Sequence, residues 1–345
     1  MIPVSKPWLT DREKKYVSEA MDSGWISSTG SFVQKFEEAF AAYVGVKYTL
    51  GTTNGTAACH LTMLVLNGHP GDEIIIPGTT FVATANAATY CGYKVRAADI
   101  DRETWNADLA SITKLIGDRT LAINCVHLYG NMCDMYSLST LGKPVVEDAC
   151  EALGGEWMGK RAGSMGLASA FSFYANKTIS TGEGGMFVTN DLSTYERARL
   201  LRGQGQTERY YHPEIGYNYR MTNVQAAIGL AQIERIPEIM EEKERVYERY
   251  QKNLHKAVLA KRVGKHSYWA VTAAVEDPER VSSKLAENGI ESRRVFYPIC
   301  DLPPYKDVGD CPNSRWLRQH GITMPSYPEL ADHDIDTICN LVESV

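Results

Sequence analysis

The sequence predicts an α/β protein: a large domain on a mostly parallel, seven-stranded sheet, then a smaller C-terminal α/β domain. Three observations point there. Short β-branched runs alternate with helical stretches from about residue 46 to residue 190. Near residue 236 the character changes to a long charged helix. A chain of 345 residues also exceeds what one hydrophobic core usually serves. The expected division is 1–235 for the large domain, with an N-terminal arm, and 236–345 for the small one.

The candidate strands are Val46–Leu50, Glu73–Pro77, Lys94–Ala98, Thr120–Cys125, Pro144–Glu147, Ala168–Phe173 and Met186–Thr189. Segments such as Ala57–Leu66 and Ala83–Tyr90 suit crossover helices, and this alternation is the signature of a parallel sheet covered on both faces. Ile236–Leu254 reads as a helix with a solvated acidic and basic face. Beyond it, Tyr268–Val275 and Ile290–Tyr297 read as strands, and Pro278–Asn288 and Asp332–Val345 as helices.

Composition narrows the function classes. A formal net charge of −6 argues against nucleic acid as a partner, because such binding needs a basic surface to displace counterions. No apolar run approaches the roughly 20 residues that span a bilayer, so no membrane partner is expected. Met1–Pro7 leads straight into polar sequence without a signal-peptide pattern. Eight scattered cysteines form no C-x-x-C pair, and the histidines lack H-E-x-x-H spacing. The expectation is therefore a cytoplasmic protein with reduced thiols and no metal site.

In parallel sheets, ligands sit beyond the carboxyl ends of the strands. That rule nominates five turns: Thr52–Thr56, Gly78–Phe81, Cys125–Tyr129, Asp148–Glu151 and Tyr174–Lys177. Lys177 follows a buried strand and precedes a glycine cluster, Gly182-Glu-Gly-Gly185. A loop lysine is by default a solvated charge. In a desolvated turn its amine pKa falls, which favours the neutral nucleophile that Schiff-base chemistry needs. Asp148 ends the strand Val145-Val-Glu-Asp148; it suits a helix N-cap, or a partner that keeps a pyridine nitrogen protonated. Gly55 and Thr56 open a helix whose backbone amides can hold a phosphate. Phe81 is either core or a platform for a flat ring. Gly216–Arg220 precedes a helix from Asn223, either as a plain loop capped by Thr222 or as part of a phosphate site through Asn218 and Arg220. One decoy is Gly154–Lys160, which fits the front of a P-loop but has Arg161 where Ser or Thr is required; it reads instead as a β-hairpin turn.

The order and spacing of these pieces resemble the DegT/StrS family of pyridoxal-phosphate (PLP)-dependent nucleotide-sugar aminotransferases. The likeness runs from Lys6-Pro-Trp8 to Met324-Pro-Ser-Tyr-Pro328. It is most specific in Glu147-Asp-Ala-Cys-Glu-Ala-Leu153, Phe171-Ser-Phe-Tyr-Ala-Asn-Lys177 and Gly216–Ala227. The resemblance implies the type I aminotransferase fold, with Lys177 as covalent anchor and proton shuttle and Asp148 as pyridinium partner. It further implies Phe81 stacked on the ring, and phosphate held by Gly55, Thr56, Ser172 and an Asn218 that crosses from a second subunit of a homodimer. Glu151 stands near the cofactor's phenolic oxygen, where many members carry Gln or His. Trp8, Ser28, His127, Arg220 and Tyr297 are nominated for the sugar. The implied reaction is a ping-pong transfer from L-glutamate to a nucleotide-linked 4-keto-6-deoxy sugar, with other nucleotide-linked keto sugars open as acceptors. Sugar dehydratases of this fold carry His where this chain has Lys177, and a ligand sensor has no need of Lys177 and Asp148 together. Cys300 departs from the His expected after Tyr297-Pro-Ile.

Overall fold

The computed structural model describes residues 1–345. Two helices precede the first strand. α1 (Asp11–Asp22) starts at a capping box in which Thr10 and Glu13 satisfy each other's backbone amides. α2 (Ser31–Val44) places Phe32, Phe36, Phe40 and Val44 at i, i+4 intervals on one buried stripe and stops at Gly45, whose φ of 81° admits a left-handed cap. The stripe meets Phe171 and Phe173 of the sheet edge-on or tilted, with centroids 5.0–5.4 Å apart for the closest pairs.

The large sheet follows in chain order: β1 (Tyr48–Thr52), α3 (Gly55–Leu64), β2 (Glu73–Pro77), α4 (Ala83–Tyr90), β3 (Lys94–Ala98), α5 (Leu109–Leu115), β4 (Thr120–Val126), α6 (Met135–Ser139) and β5 (Val145–Asp148). A hairpin, β6 (Glu156–Trp157) and β7 (Lys160–Arg161), occupies the P-loop-like stretch. Met158 and Gly159 both have positive φ there, as a type I′ turn requires. Then come β8 (Ser169–Ser172), β9 (Gly185–Thr189), α7 (Leu192–Arg202) and α8 (Asn223–Glu234). The seven strands lie in the order β1-β9-β8-β5-β4-β2-β3. All run parallel except β9, which pairs antiparallel with both β1 and β8. β2 is buried along its whole length and β4 everywhere but at Leu121, as a sheet covered on both faces demands.

α9 (Ile236–Asn253) leads to a four-stranded antiparallel sheet of β10 (Val258–Leu259), β11 (Val271–Ala274), β12 (Arg293–Arg294) and β13 (Gly321–Met324), in the order β10-β11-β13-β12. α10 (Pro278–Glu287), α11 (Pro312–His320) and α12 (Asp332–Glu343) complete this part. The N-terminal arm pairs with this part. Ile2 bridges Ile290, and the Val4 amide donates to Glu291 at 2.9 Å. No helix is long and apolar enough to cross a membrane.

Candidate active site

All five turns nominated at the carboxyl ends of β1, β2, β4, β5 and β8 open onto one cavity of about 530 Å³. Lys177 lies in its wall with a side chain only 13% exposed. Its ammonium is held from two sides. Glu151 Oε1 is 3.6 Å from Nζ, and the Trp269 ring centroid is 3.9 Å away. Trp269 is fixed in turn by its indole N–H, which donates to the Asn176 carbonyl at 2.8 Å.

Glu151 is buried, and its Oε2 accepts the Tyr129 amide at 2.8 Å. Burial pushes its carboxyl up to about 6, against the opposing pull of the Lys177 charge. Tyr129 reaches that position with φ of 53°, an uncommon backbone for a bulky residue. The strain is held by packing. The Tyr129 ring lies between Trp269 and Phe296, nearly parallel to both, and its hydroxyl accepts the Phe296 amide.

No helix follows Asp148, so the helix-cap alternative falls away. Its Oδ1 accepts the Cys150 amide at 3.1 Å and its Oδ2 accepts the Thr84 hydroxyl at 2.6 Å. A buried carboxylate oriented by two donors at the cavity wall suits a cationic ring nitrogen.

At the other end, Asn54 caps α3 by accepting the Ala57 amide, which leaves the Gly55 and Thr56 amides at the cavity. Gly55 permits a close approach: a Cβ there would lie 2.6 Å from Ser172 Cβ and 2.8 Å from Ser172 Oγ. Helix start and strand hydroxyl thus form one cradle of donors, and Phe81 lines the wall beyond it, half-exposed. The lysine, the buried carboxylate and the phosphate-sized cradle fit PLP.

Other nominated residues lie elsewhere. His127 does not reach the cavity. Its Nδ1 accepts the Cys133 amide and its Nε2 donates to Glu147, both at 3.0 Å. The Glu147 carboxylate favours a second proton on the ring, but the Cys133 amide occupies the only nitrogen that could take it, so the imidazole is the neutral Nε2–H tautomer. Glu147 itself is a structural hub that also accepts the Gly163, Met165 and Gly166 amides. Trp8 lies under the Arg235 guanidinium and accepts Gln232 and Arg235 through its carbonyl. Tyr297 is exposed beneath Arg318, 3.8 Å from its ring centroid. Ser28 and Asn218 are likewise absent from the cavity wall. Arg220 bridges Thr52 through its backbone. Cys300 is buried against Ala97 and Cys311, away from the cavity. Conversely, Val4, Ser5, Trp269, Arg293 and Arg294 line it without having been singled out as site residues. They come from the N-terminal arm and small domain, whose approach no local pattern announces.

A lysine flanked by a carboxylate and an aromatic ring, facing an oriented aspartate and a phosphate cradle, defines the class as a PLP-fold aminotransferase. The chain belongs to the DegT/DnrJ/EryC1/StrS aminotransferase family, whose model matches residues 7–343. It is 43% identical to the GDP-perosamine synthase of Escherichia coli O157:H7, over 99% of this chain and 97% of that one. The GDP-perosamine synthase of Caulobacter vibrioides is 42% identical over 100% and 98%. Among solved structures, the aminotransferase TlmJ from Streptoalloteichus hindustanus superposes with a TM-score of 0.95 at 27% identity, covering 100% of this chain and 98% of that one.

Proposed function

We propose that the protein transfers the amino group of L-glutamate to C4 of GDP-4-keto-6-deoxy-D-mannose, producing GDP-perosamine, as a cytoplasmic enzyme. The observation that carries this reading is the convergence of Lys177, Asp148 and the Gly55–Ser172 cradle on one cavity, in a chain so similar along its whole length to GDP-perosamine synthases.

Bound in the cavity, PLP supplies an electron sink for the carbon that loses its proton. Asp148, oriented by the Thr84 hydroxyl and the Cys150 amide, would face the pyridine nitrogen and keep it protonated. Gly55, Thr56 and Ser172 would hold the phosphate, and Phe81 would meet the ring. Lys177 is the covalent anchor; released, its amine takes the proton from the donor's α-carbon and returns a proton to the sugar carbon in the second half. Glu151 holds the lysine's ammonium within reach between those steps. The Tyr129, Trp269 and Phe296 wall limits water around the amine.

The second copy belongs to this reading. Asn218 is exposed and outside its own cavity, on a loop whose backbone pairs with the β1–α3 turn through the Thr53 amide and Tyr219 carbonyl. The same loop leaves most of Tyr210, Tyr211 and Ile215 exposed. Such a surface suits burial against another protomer, with Asn218 completing the partner's phosphate site.

The test is an amino-transfer assay with L-glutamate and a panel of GDP-, UDP- and dTDP-linked keto sugars, with the product identified by mass spectrometry and NMR. A 4-amino product from the GDP-linked substrate alone is the expected result. Turnover confined to a UDP- or dTDP-linked sugar would refute the proposed acceptor.

A further inference from the structure

Cys59 lies in α3, whereas Asp148 and Cys150 lie at and just past the end of β5. Folding brings them together. Cys59 Sγ is 3.7 Å from Asp148 Oδ2 and 3.9 Å from Cys150 Sγ, and the three ligand atoms all lie within 4.8 Å of one another. All three residues line the cavity. Neither thiol has a part in the amino-transfer chemistry above, and the Asp148 carboxylate is already oriented by Thr84 and the Cys150 amide. The two spacings from Cys59 Sγ match the edges of a tetrahedral centre. Metal–sulfur bonds of about 2.3 Å put neighbouring ligand atoms about 3.8 Å apart. Two sulfurs and a carboxylate oxygen form a borderline-soft set, which selects zinc-like cations over magnesium or calcium.

We propose that, when PLP is absent, Cys59 Sγ, Cys150 Sγ and Asp148 Oδ2 bind a thiophilic divalent cation such as Zn²⁺, and that cation and cofactor exclude each other. The thiol protons leave to solvent as the metal–sulfur bonds form. The fourth ligand position faces the cavity, where water completes the tetrahedron. Neither C-x-x-C nor histidine spacing announces this group, because its ligands come from a helix and a strand end far apart in sequence. The exclusion rests on the role proposed for Asp148, since one carboxylate cannot serve both a cation and a ring nitrogen. The cation site itself stands on the three ligand atoms.

The experiment uses the full chain stripped of PLP and kept reduced with a non-chelating phosphine, with Co²⁺ as a coloured probe and Zn²⁺ as competitor. One Co²⁺ per chain, with the visible bands of a tetrahedral centre and thiolate charge transfer, is expected. PLP should bleach those bands as it binds. Cys59→Ala and, separately, Cys150→Ser should lose the charge-transfer bands and weaken Zn²⁺ binding by about 100-fold or more. Cys59→Ala should still take up PLP from metal-free buffer, read by the cofactor's own absorbance, which also reports that the variant folds. An unchanged cobalt spectrum and affinity in both variants would overturn the site. PLP uptake that leaves the cobalt bands untouched would overturn the exclusion. A wild-type protein that binds Co²⁺ through the thiols but never PLP would contradict the functional reading instead, so the two failures are distinguishable.

Discussion

At the scale of single residues, Lys177 and Glu151 form a coupled pair whose behaviour with pH can be worked out. The Glu151 carboxyl titrates near 6 in the folded protein, above its ordinary value of 4.5. An acid raised by folding opposes folding in its charged form. That penalty is absent below about pH 4.5, grows as pH rises through 6 and is complete above it, at about 2 kcal/mol for the cited shift. Lys177 partly offsets the burial of Glu151. Lys177→Ala should therefore enlarge the penalty, by about 1.4 kcal/mol for each further unit. The variant should lose stability relative to wild type above pH 6, and the gap should narrow toward pH 4.5. Adding Glu151→Gln should flatten the profile. Thermal melts of the cofactor-free proteins across this range check it, and a gap independent of pH would show that the two groups are not coupled. The same Lys177→Ala protein should retain PLP non-covalently yet show no measurable amino transfer in either direction. At Asp148, replacement by Asn keeps the shape and removes the charge. Loss of at least three orders of magnitude in turnover is expected, about 4 kcal/mol in barrier, with a smaller change in PLP affinity. A loss under about tenfold would mean the carboxylate only shapes the turn.

Among the elements, the joint of α3 with β8 makes the sharpest demand on the chain. Gly55 starts the helix where Ser172 ends its strand, and a Cβ at Gly55 would come within 3.2 Å of the Ser172 backbone Cα as well as its side chain. Gly55→Ala must push helix and strand apart, at a cost of about 1–3 kcal/mol in stability. It should also weaken PLP binding by at least about tenfold, measured by titrating the stripped protein. Unaltered affinity would exclude this helix start as the phosphate site.

These elements also differ in how plainly they could be read. β2 and β3 agree with the sequence to the residue, since their Ile- and Val-bearing runs are bounded by a turn on either side. β13 escaped: Gly321-Ile-Thr-Met324 is four residues long, shows no alternation, and becomes a central strand only because β11 and β12 flank it. α2 was also missed, although its phenylalanine stripe at i, i+4 spacing was there to be read. The rule of strand carboxyl ends found all five cavity turns. Within one of them lies His127, nominated for the sugar but buried outside the cavity wall. Its pairing with Glu147 depends on the Gly163 and Gly166 amides that hold that carboxylate, sixteen and nineteen residues beyond Glu147.

For the whole molecule, the decisive question is whether one chain holds a complete site. Its own cavity contains Lys177, Asp148, Gly55, Thr56 and Ser172 but not Asn218, which stands exposed on the loop before α8. If Asn218 serves a partner's phosphate cradle, PLP binds fully only to the assembled state. It must then stabilise that state in proportion to the logarithm of its concentration over its dissociation constant. Sedimentation at falling protein concentration should show PLP holding the dimer together, and Asn218→Ala should diminish that effect. Complementation separates this from a merely local role for the loop. In a heterodimer of Lys177→Ala and Asn218→Asp chains, one site receives both lesions and the other receives neither. Equal mixing with free exchange gives about half heterodimers, so about a quarter of wild-type activity should return from two impaired proteins. Native mass spectrometry establishes that exchange has occurred. Activity no higher than the average of the two parents, with heterodimers present, would confine Asn218 to its own subunit and leave the cavity of each chain to work alone.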